Sequence, residues 1–327
     1  MYRAGRVILS AGVMLAFFWA GCHGPPAPKP RVPTPAKPVV TAPPKPVPPP
    51  RKIDPPSGRG DEIIVAGNRF PSGTRVVTWL DRGGYNGYTV SSPPRAGLAN
   101  VPPHREFATL QQVVDQFVLH YDGGGLSRIC FNTLQERKLS VHFLLDVDGT
   151  IYQTLDLAER AAHATIANDR SIGIEIANVG AFPEKGKERA VLDEWYRRDR
   201  KGKTVMRVPP DVRVTGIRTP GFVARPVRPA LVRGSLQGQV LVQYDYTAEQ
   251  YAALAKLTAT LARVFPKLTA DYPHGRDGRL IPQVLSEGKY ASYRGVLGHF
   301  HVQENKVDPG PAFQWKKLFD AVKREKK

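Results

Sequence analysis

Cysteine is nearly absent from this 327-residue sequence: Cys22 and Cys130 are the two present, in very different surroundings. Two such cysteines imply no disulfide framework. Acidic side chains are also scarce, 29 against 47 Lys and Arg, which leaves a net charge of +18. That excess suits a polyanionic partner, whether nucleic acid, an anionic lipid surface or an acidic cell-wall polymer. Zinc-finger spacing, a basic helix running into heptads and a basic–aromatic RNA motif are all missing, so no nucleic-acid partner is expected. No apolar run reaches the roughly 20 residues that a membrane-spanning helix needs. The candidate run, Val7–Ala20 (VILSAGVMLAFFWA), is too short. Internal repeats are absent as well.

What that short run does fit is an export signal. Arg3 and Arg6 precede it and small residues end it. The closing Trp19-Ala20-Gly21-Cys22 resembles a bacterial lipobox, in which cleavage frees a cysteine that then carries lipid. Lipidation is therefore expected at Cys22, anchoring the chain to a membrane without a spanning helix. From Pro25 to Pro56 the sequence is nearly all Pro, Ala, Val, Lys and Arg. Such a segment cannot build a core and favours extended polyproline II, at about 3.1 Å per residue. Residues 1–22 read as a lipoprotein-type signal segment and 23–60 as a basic, proline-rich linker. Up to residue 60, nine basic side chains stand against Asp54 alone, so +8 of the +18 sits there and +10 in the remainder. The chain is expected to be exported and held on the periplasmic side of a bacterial membrane, the outer one, as a monomer.

Strand signals start at Glu62 (EIIVAG) and Thr74 (TRVVTWL), with Gly and Pro punctuation that suggests a hairpin of the two. FVLHYD (117–122) is a buried strand ending in His and Asp. VHFLLDVDGTIYQTL (141–155) reads as two strands turning at Asp148-Gly149, and SIGIEIAN (171–178) as a fourth. Residues 126–137 look helical. The stretch 180–245, rich in Pro, Arg and Gly, reads as an insertion of loops with one strand near QVLVQYDY. Thr247 and Gln250 form a capping box for a helix with Leu254, Leu257, Leu261 and Val264 on one face, ended by Pro266. GVLGHFHV (295–302) is strand-like, and a final helix follows Pro311. Strands with flanking helices indicate one α/β domain over 61–327, with a mixed central sheet.

His120 and His299 each end an apolar strand beside glycine, where functional side chains leave a sheet. Asp308 follows nine residues after His299. Two imidazoles and a carboxylate are a ligand set of catalytic zinc sites, with the fourth position left for water. Glu175 interrupts the apolar strand IGIEIA, a costly place for an acid that is neither paired nor functional. His142, in mid-strand, reads as a hydrogen-bonded structural histidine. His301, two residues beyond His299 on a strand, would share its face. Cys130 reads as a buried thiol apart from these groups.

The pieces FVLHYD, LSVHFLLDVDGTIYQ, AAHA, NDRSIGIEIAN and GHFHVQENKVDPGPAFQW resemble, in order, the N-acetylmuramoyl-L-alanine amidase family related to phage T7 lysozyme and peptidoglycan recognition proteins. The resemblance covers roughly 115–180 and 295–316, and its layout is that of lipid-anchored periplasmic amidases. It implies a mixed sheet flanked by helices, Zn2+ as cofactor, and His120, His299 and Asp308 as metal ligands. It implies Glu175 as the catalytic acid–base, Lys306 as an oxyanion stabiliser, and His163 as a substrate-facing group, here preceded by Ala162 where relatives often carry Trp. The implied reaction is hydrolysis of the amide between N-acetylmuramic acid and L-alanine in peptidoglycan or muropeptides. The alternative is the same fold binding muropeptide without cutting it, which predicts a lost ligand; none of the set is missing.

Overall fold

A computed structural model describes residues 60–325 apart from 91, 92, 96 and 99. Cys22, the signal segment and the linker up to residue 59 lie outside the described residues. Two strands, β1 (Glu62–Val65) and β2 (Asn68–Pro71), open the described chain as an antiparallel hairpin. The partner expected for β1 was the segment after Thr74; the structure pairs it with 68–71 instead. The reason lies in the turn. Ala66 and Gly67 both take positive φ, 48° and 77°, the geometry of a two-residue hairpin turn. The buried Asp156 carboxylate holds the turn by accepting from the Ala66 and Gly67 N–H groups at 2.7 and 2.8 Å. The Thr74 segment, β3 (Val76–Thr78), goes to the edge of the main sheet.

The main sheet continues through α1 (Pro103–Val113), β4 (Gln116–Tyr121), α2 (Ser127–Glu136), β5 (Phe143–Leu145), β6 (Ile151–Gln153) and β7 (Ser171–Ile176). β4 is apolar on both faces because both are covered, as parallel strands require. β5 and β6 pair antiparallel across the Asp148-Gly149 turn, as the sequence indicated. β4 and β7 run parallel in a register that sets His120 opposite Glu175.

Residues 180–245 hold more regular structure than loops with one strand. They form β8 (Phe182–Pro183), α3 (Ala190–Trp195), the hairpin of β9 (Tyr196–Arg198) with β10 (Thr204–Met206), and the hairpin of β11 (Val232–Leu236) with β12 (Gln239–Gln243). The strands are too short to show a period. The β11–β12 turn also hides itself, because Gln237 adopts φ +52° beside Gly238, a conformation that Asn or Asp usually signals. This segment builds its own apolar cluster, with Leu192, Trp195, Tyr196 and Val242 packed on Leu126 and Val179.

The capping box on α4 (Ala248–Val264) is present, Thr247 and Gln250 exchanging side-chain and backbone bonds. Leu254, Leu257, Leu261 and Val264 are buried in the main core. After α5 (Glu287–Ser292), β13 (Gly295–Gly298) adds parallel to β4, and α6 (Trp315–Glu325) closes the fold against α4. The six-stranded sheet runs β13-β4-β7-β5-β6-β3, with parallel pairs and one antiparallel pair, so the architecture is the mixed α/β one expected. Among the described residues no helix is long and apolar enough to cross a membrane.

Sequence reading passed over one buried charge. Arg95 is fully buried, and its guanidinium donates to the carbonyls of Leu157, Glu159, Asn168, Asp169 and Ser171 at 2.9–3.3 Å. Burial pulls its pKa down to about 10. The forked guanidinium collects the loop between β6 and β7, which carries His163, onto one side chain. Arg95→Met should therefore lower unfolding stability by about 3 kcal/mol or more, since buried carbonyls lose their donors. Arg95→Lys should recover only part of it. Denaturant midpoints measure this, and an unchanged midpoint for Arg95→Met would refute it.

Candidate metal centre and active site

Three elements converge at the carboxyl ends of β4 and β13. His120 is the fifth residue of β4, His299 is the first residue after β13, and Asp308 sits in the loop that leads to α6. All three are buried, and one ligand atom from each lies within 4.8 Å of the others. Asp308 Oδ2 is 2.8 Å from His120 Nδ1 and 3.1 Å from His299 Nδ1. The two rings stand nearly edge to face, with centroids 4.5 Å apart.

The electrostatics suit a cation. Burial, and then the neighbouring His299, push the His120 pKa down to about 4, so its ring is neutral. Burial alone would raise the Asp308 pKa, but His299 and the hydrogen-bonded His120 hold the carboxyl well below the usual range. A neutral His120 ring and an ionised Asp308 carboxylate are in the protonation states that metal binding demands. The three side chains can hold a metal ion.

Glu175 lies beside this set, one strand over from His120 and in register with it. Its Oε2 is buried and has no hydrogen-bond partner. Burial, then the negative charges of Asp308 and Asp122, raise its pKa well above the ordinary carboxylate value, with Lys306 pulling the other way. A buried carboxyl oxygen left unpaired costs about 1–3 kcal/mol or more.

Lys306 is partly buried in the loop between His299 and Asp308. That loop is pinned from the insertion. The Gln237 amide Nε2, at the tip of the β11–β12 hairpin, lies 2.8, 3.1 and 3.3 Å from the carbonyls of Phe300, Gln303 and Lys306. Its Oε1 accepts from Val284 N–H. At the other end, Tyr246 Oη donates to the Pro309 carbonyl at 2.6 Å, and Gln243 bridges Pro309 O and Ala312 N. Gly310, at φ +88°, lies against Gln243, so a Cβ there would overlap the amide. The signal for these holders was weak in the sequence, since three polar residues in a Pro-rich stretch read as solvated loop.

The other histidines sort by their partners. His163 is beside His120, with Nδ1 3.0 Å from His120 Nε2 and its own Nε2 3.2 Å from Ser171 Oγ. His142 is structural as expected: Nδ1 accepts from Gly173 N–H, Nε2 donates to Glu159 O, and burial lowers its pKa to about 3. His301 does not share the face of His299 through a strand pleat. Residues 299–301 coil into a short 3-10 turn, and His301 points to Gly298 N–H and Ile281 O. Asp122, which directly follows β4, is another residue that sequence reading left aside. Its Oδ1 gathers the N–H groups of Gly124, Gly125 and Asn178 and fixes the turn after His120. Cys130 is buried on α2.

A family profile described as N-acetylmuramoyl-L-alanine amidase matches residues 110–311. Solved structures similar to this chain include a selenomethionine derivative of AmpD, at 18% identity over 65% of this chain and 86% of that one, with a TM-score of 0.31. The endolysin amidase LysCS from Clostridium intestinale URNW is similar at 13% identity over 76% and 95%, TM-score 0.35. The Ph2119 endolysin from Thermus scotoductus MAT2119 bacteriophage Ph2119 is similar at 13% identity over 76% and 99%, TM-score 0.34. No curated protein sequence matches the chain. The profile spans more than half of the sequence and takes in His120, Glu175, His299, Lys306 and Asp308: the chain belongs to the N-acetylmuramoyl-L-alanine amidase family.

Proposed function

We propose that this chain is a zinc-dependent hydrolase that cuts the amide between N-acetylmuramic acid and L-alanine in peptidoglycan or muropeptides. The observation that carries the reading is an unpaired, buried Glu175 carboxyl oxygen next to a buried His–His–Asp set. Two imidazoles and one carboxylate suit zinc. Ligand atoms about one tetrahedral zinc stand about 3.3 Å apart, given bonds of about 2.0–2.1 Å. The 2.8 and 3.1 Å separations at Asp308 Oδ2 are close to that.

Zinc held there supplies Lewis acidity to the amide carbonyl and to water. The remaining work falls to the side chains. Glu175 takes a proton from the attacking water as the carbon–oxygen bond forms. Lys306 places its ammonium against the negative charge that develops on the carbonyl oxygen. Glu175 then returns the proton to the alanine nitrogen as the carbon–nitrogen bond breaks, leaving a lactyl carboxylic acid and a free stem peptide. A raised pKa suits a carboxyl that must act first as base and then as acid. The proposed setting is the cell envelope, where the export-signal-like run and Cys22 would serve as address and anchor.

Three outcomes test this reading. Glu175→Gln should retain stoichiometric zinc and lose about 10²–10⁴-fold in stem-peptide release from sacculi, followed by mass spectrometry. Equal release by the two proteins would remove Glu175 from the mechanism, and no release by the zinc-loaded wild type would sink the amidase reading. Gln237→Leu should lower stability by about 1–3 kcal/mol, as the carbonyls around Lys306 lose their donor, and should slow cutting more than it weakens binding to sacculi. An unaltered rate would detach the hairpin from the site. Cys22→Ser should abolish incorporation of labelled fatty acid and release the protein from membranes; continued labelling would exclude Cys22 as the anchor.

A further inference from the structure

Each metal-facing imidazole has a second polar contact on its far nitrogen. Behind His299, Gln303 Oε1 is 2.5 Å from Nε2. Behind His120, His163 Nδ1 is 3.0 Å from Nε2, and the chain continues to Ser171 Oγ. A neutral imidazole has one N–H and one lone pair, and the hydrogen bond made by one nitrogen decides which the other presents. An amide oxygen can only accept, so His299 carries its proton on Nε2 and turns the Nδ1 lone pair toward Asp308. Ser171 Oγ can accept from His163 Nε2–H, and in that tautomer His163 offers its Nδ1 lone pair to His120 Nε2–H. His120 then also presents Nδ1 to Asp308. In these tautomers two lone pairs and one carboxylate oxygen face one another, an arrangement that a bound cation would reconcile.

The seats for these contacts are built into the backbone. Gly173 leaves room for the His163 ring: a Cβ there would stand 2.6 Å from His163 Nδ1. Arg95 gathers the carbonyls of Asn168 and Ser171, which flank that ring. Gln303 is fixed by its own backbone, its N–H on His299 O at 3.0 Å and its carbonyl on Gln237.

We infer that Gln303 and His163 are positioning residues, which hold His299 and His120 in the Nε2–H form so that both imidazoles meet the metal through Nδ1. The inference rests on the proposed metal site and goes beyond it to residues outside the ligand set. Such partners orient ligands and change metal affinity by about 10–100-fold when removed.

The test uses the full chain and zinc alone. Zinc affinity is measured by competition with a chromophoric chelator, and the ligand field by the visible spectrum of the Co2+ form. Gln303→Met keeps the length without an acceptor and should weaken zinc by about 10–100-fold and alter the Co2+ spectrum. Gln303→Glu keeps the acceptor and should bind zinc at least as tightly as wild type, with a wild-type-like spectrum. His163→Ala should weaken zinc similarly, and His163→Asn, which restores an acceptor near Nδ1, should recover part of it. If His163→Ala does not fold, the Gln303 pair decides. Wild-type affinity in Gln303→Met, or equal loss in Gln303→Met and Gln303→Glu, would overturn the inference. Because no peptidoglycan is present, a chain that binds zinc in this pattern yet does not cut would refute the proposed reaction and leave the positioning roles standing.

Discussion

A single carboxylate oxygen, Asp308 Oδ2, approached by two imidazole nitrogens at 2.8 and 3.1 Å, sets the terms for everything around it. The group is buried, so its negative charge cannot be met by water and must be met by what the chain supplies. An ionised carboxylate in such a place is strongly unfavourable unless it is paired. The neighbouring strands are parallel and in register, which brings His120 and His299 to the same sheet end from segments far apart in sequence. That registry is also what sets Glu175 alongside. The site follows from one feature of sheet topology and one buried charge.

The insertion acquires meaning from the same constraint. A loop that carries Lys306, Gln303 and Asp308 must hold three side chains in place while its own backbone polar groups go unpaired by any sheet. Gln237 meets the carbonyls of residues 300, 303 and 306, and Gln243 with Tyr246 meets residues 309 and 312. Side-chain amides do here what a neighbouring strand would do elsewhere, because an amide both donates and accepts. Residues 180–245 are thus a scaffold whose β11–β12 hairpin ends on the loop between His299 and Asp308.

Sequence reading reached the strands of the main sheet, the Asp148-Gly149 turn, the capped α4 and the convergence of His120, His299 and Asp308. The strands, the turn and the cap are written locally, in apolar runs and turn dipeptides, whereas Asp308 was reached through the family resemblance of its DPG motif. It missed the Ala66-Gly67 and Gln237-Gly238 turns because Ala and Gln rarely adopt positive φ, and tertiary bonds enforce it here. It missed Arg95 because a buried arginine looks like any surface arginine until its five carbonyl acceptors are assembled from a distant loop. The pleat argument for His301 failed because β13 ends at Gly298 and the chain coils at once into a 3-10 turn. Partners such as His163 and Gln303 are legible as polar residues, but not as second contacts of a ligand, since that relation exists only in three dimensions.

Burial also fixes how the surroundings respond to pH, and it does so with opposed signs. Asp122 and Asp146 are pushed up to about 7, chiefly by burial. In the window from about 4 to about 7 the folded state then holds protons that the unfolded state has lost, so their contribution falls as pH rises. His142 and His301, both distinct from the ligand pair, are pulled down to about 3, again chiefly by burial. Between about 3 and 6.5 the unfolded state holds protons that the folded state refuses, so their contribution falls as pH drops. Over the shared span, about 4 to 6.5, two groups lose what two others gain. The two pairs of groups thus respond to pH with opposite signs over that span. Beside the metal set, burial also raises the Glu175 pKa well above the ordinary carboxylate value, and its buried Oε2 has no hydrogen-bond partner.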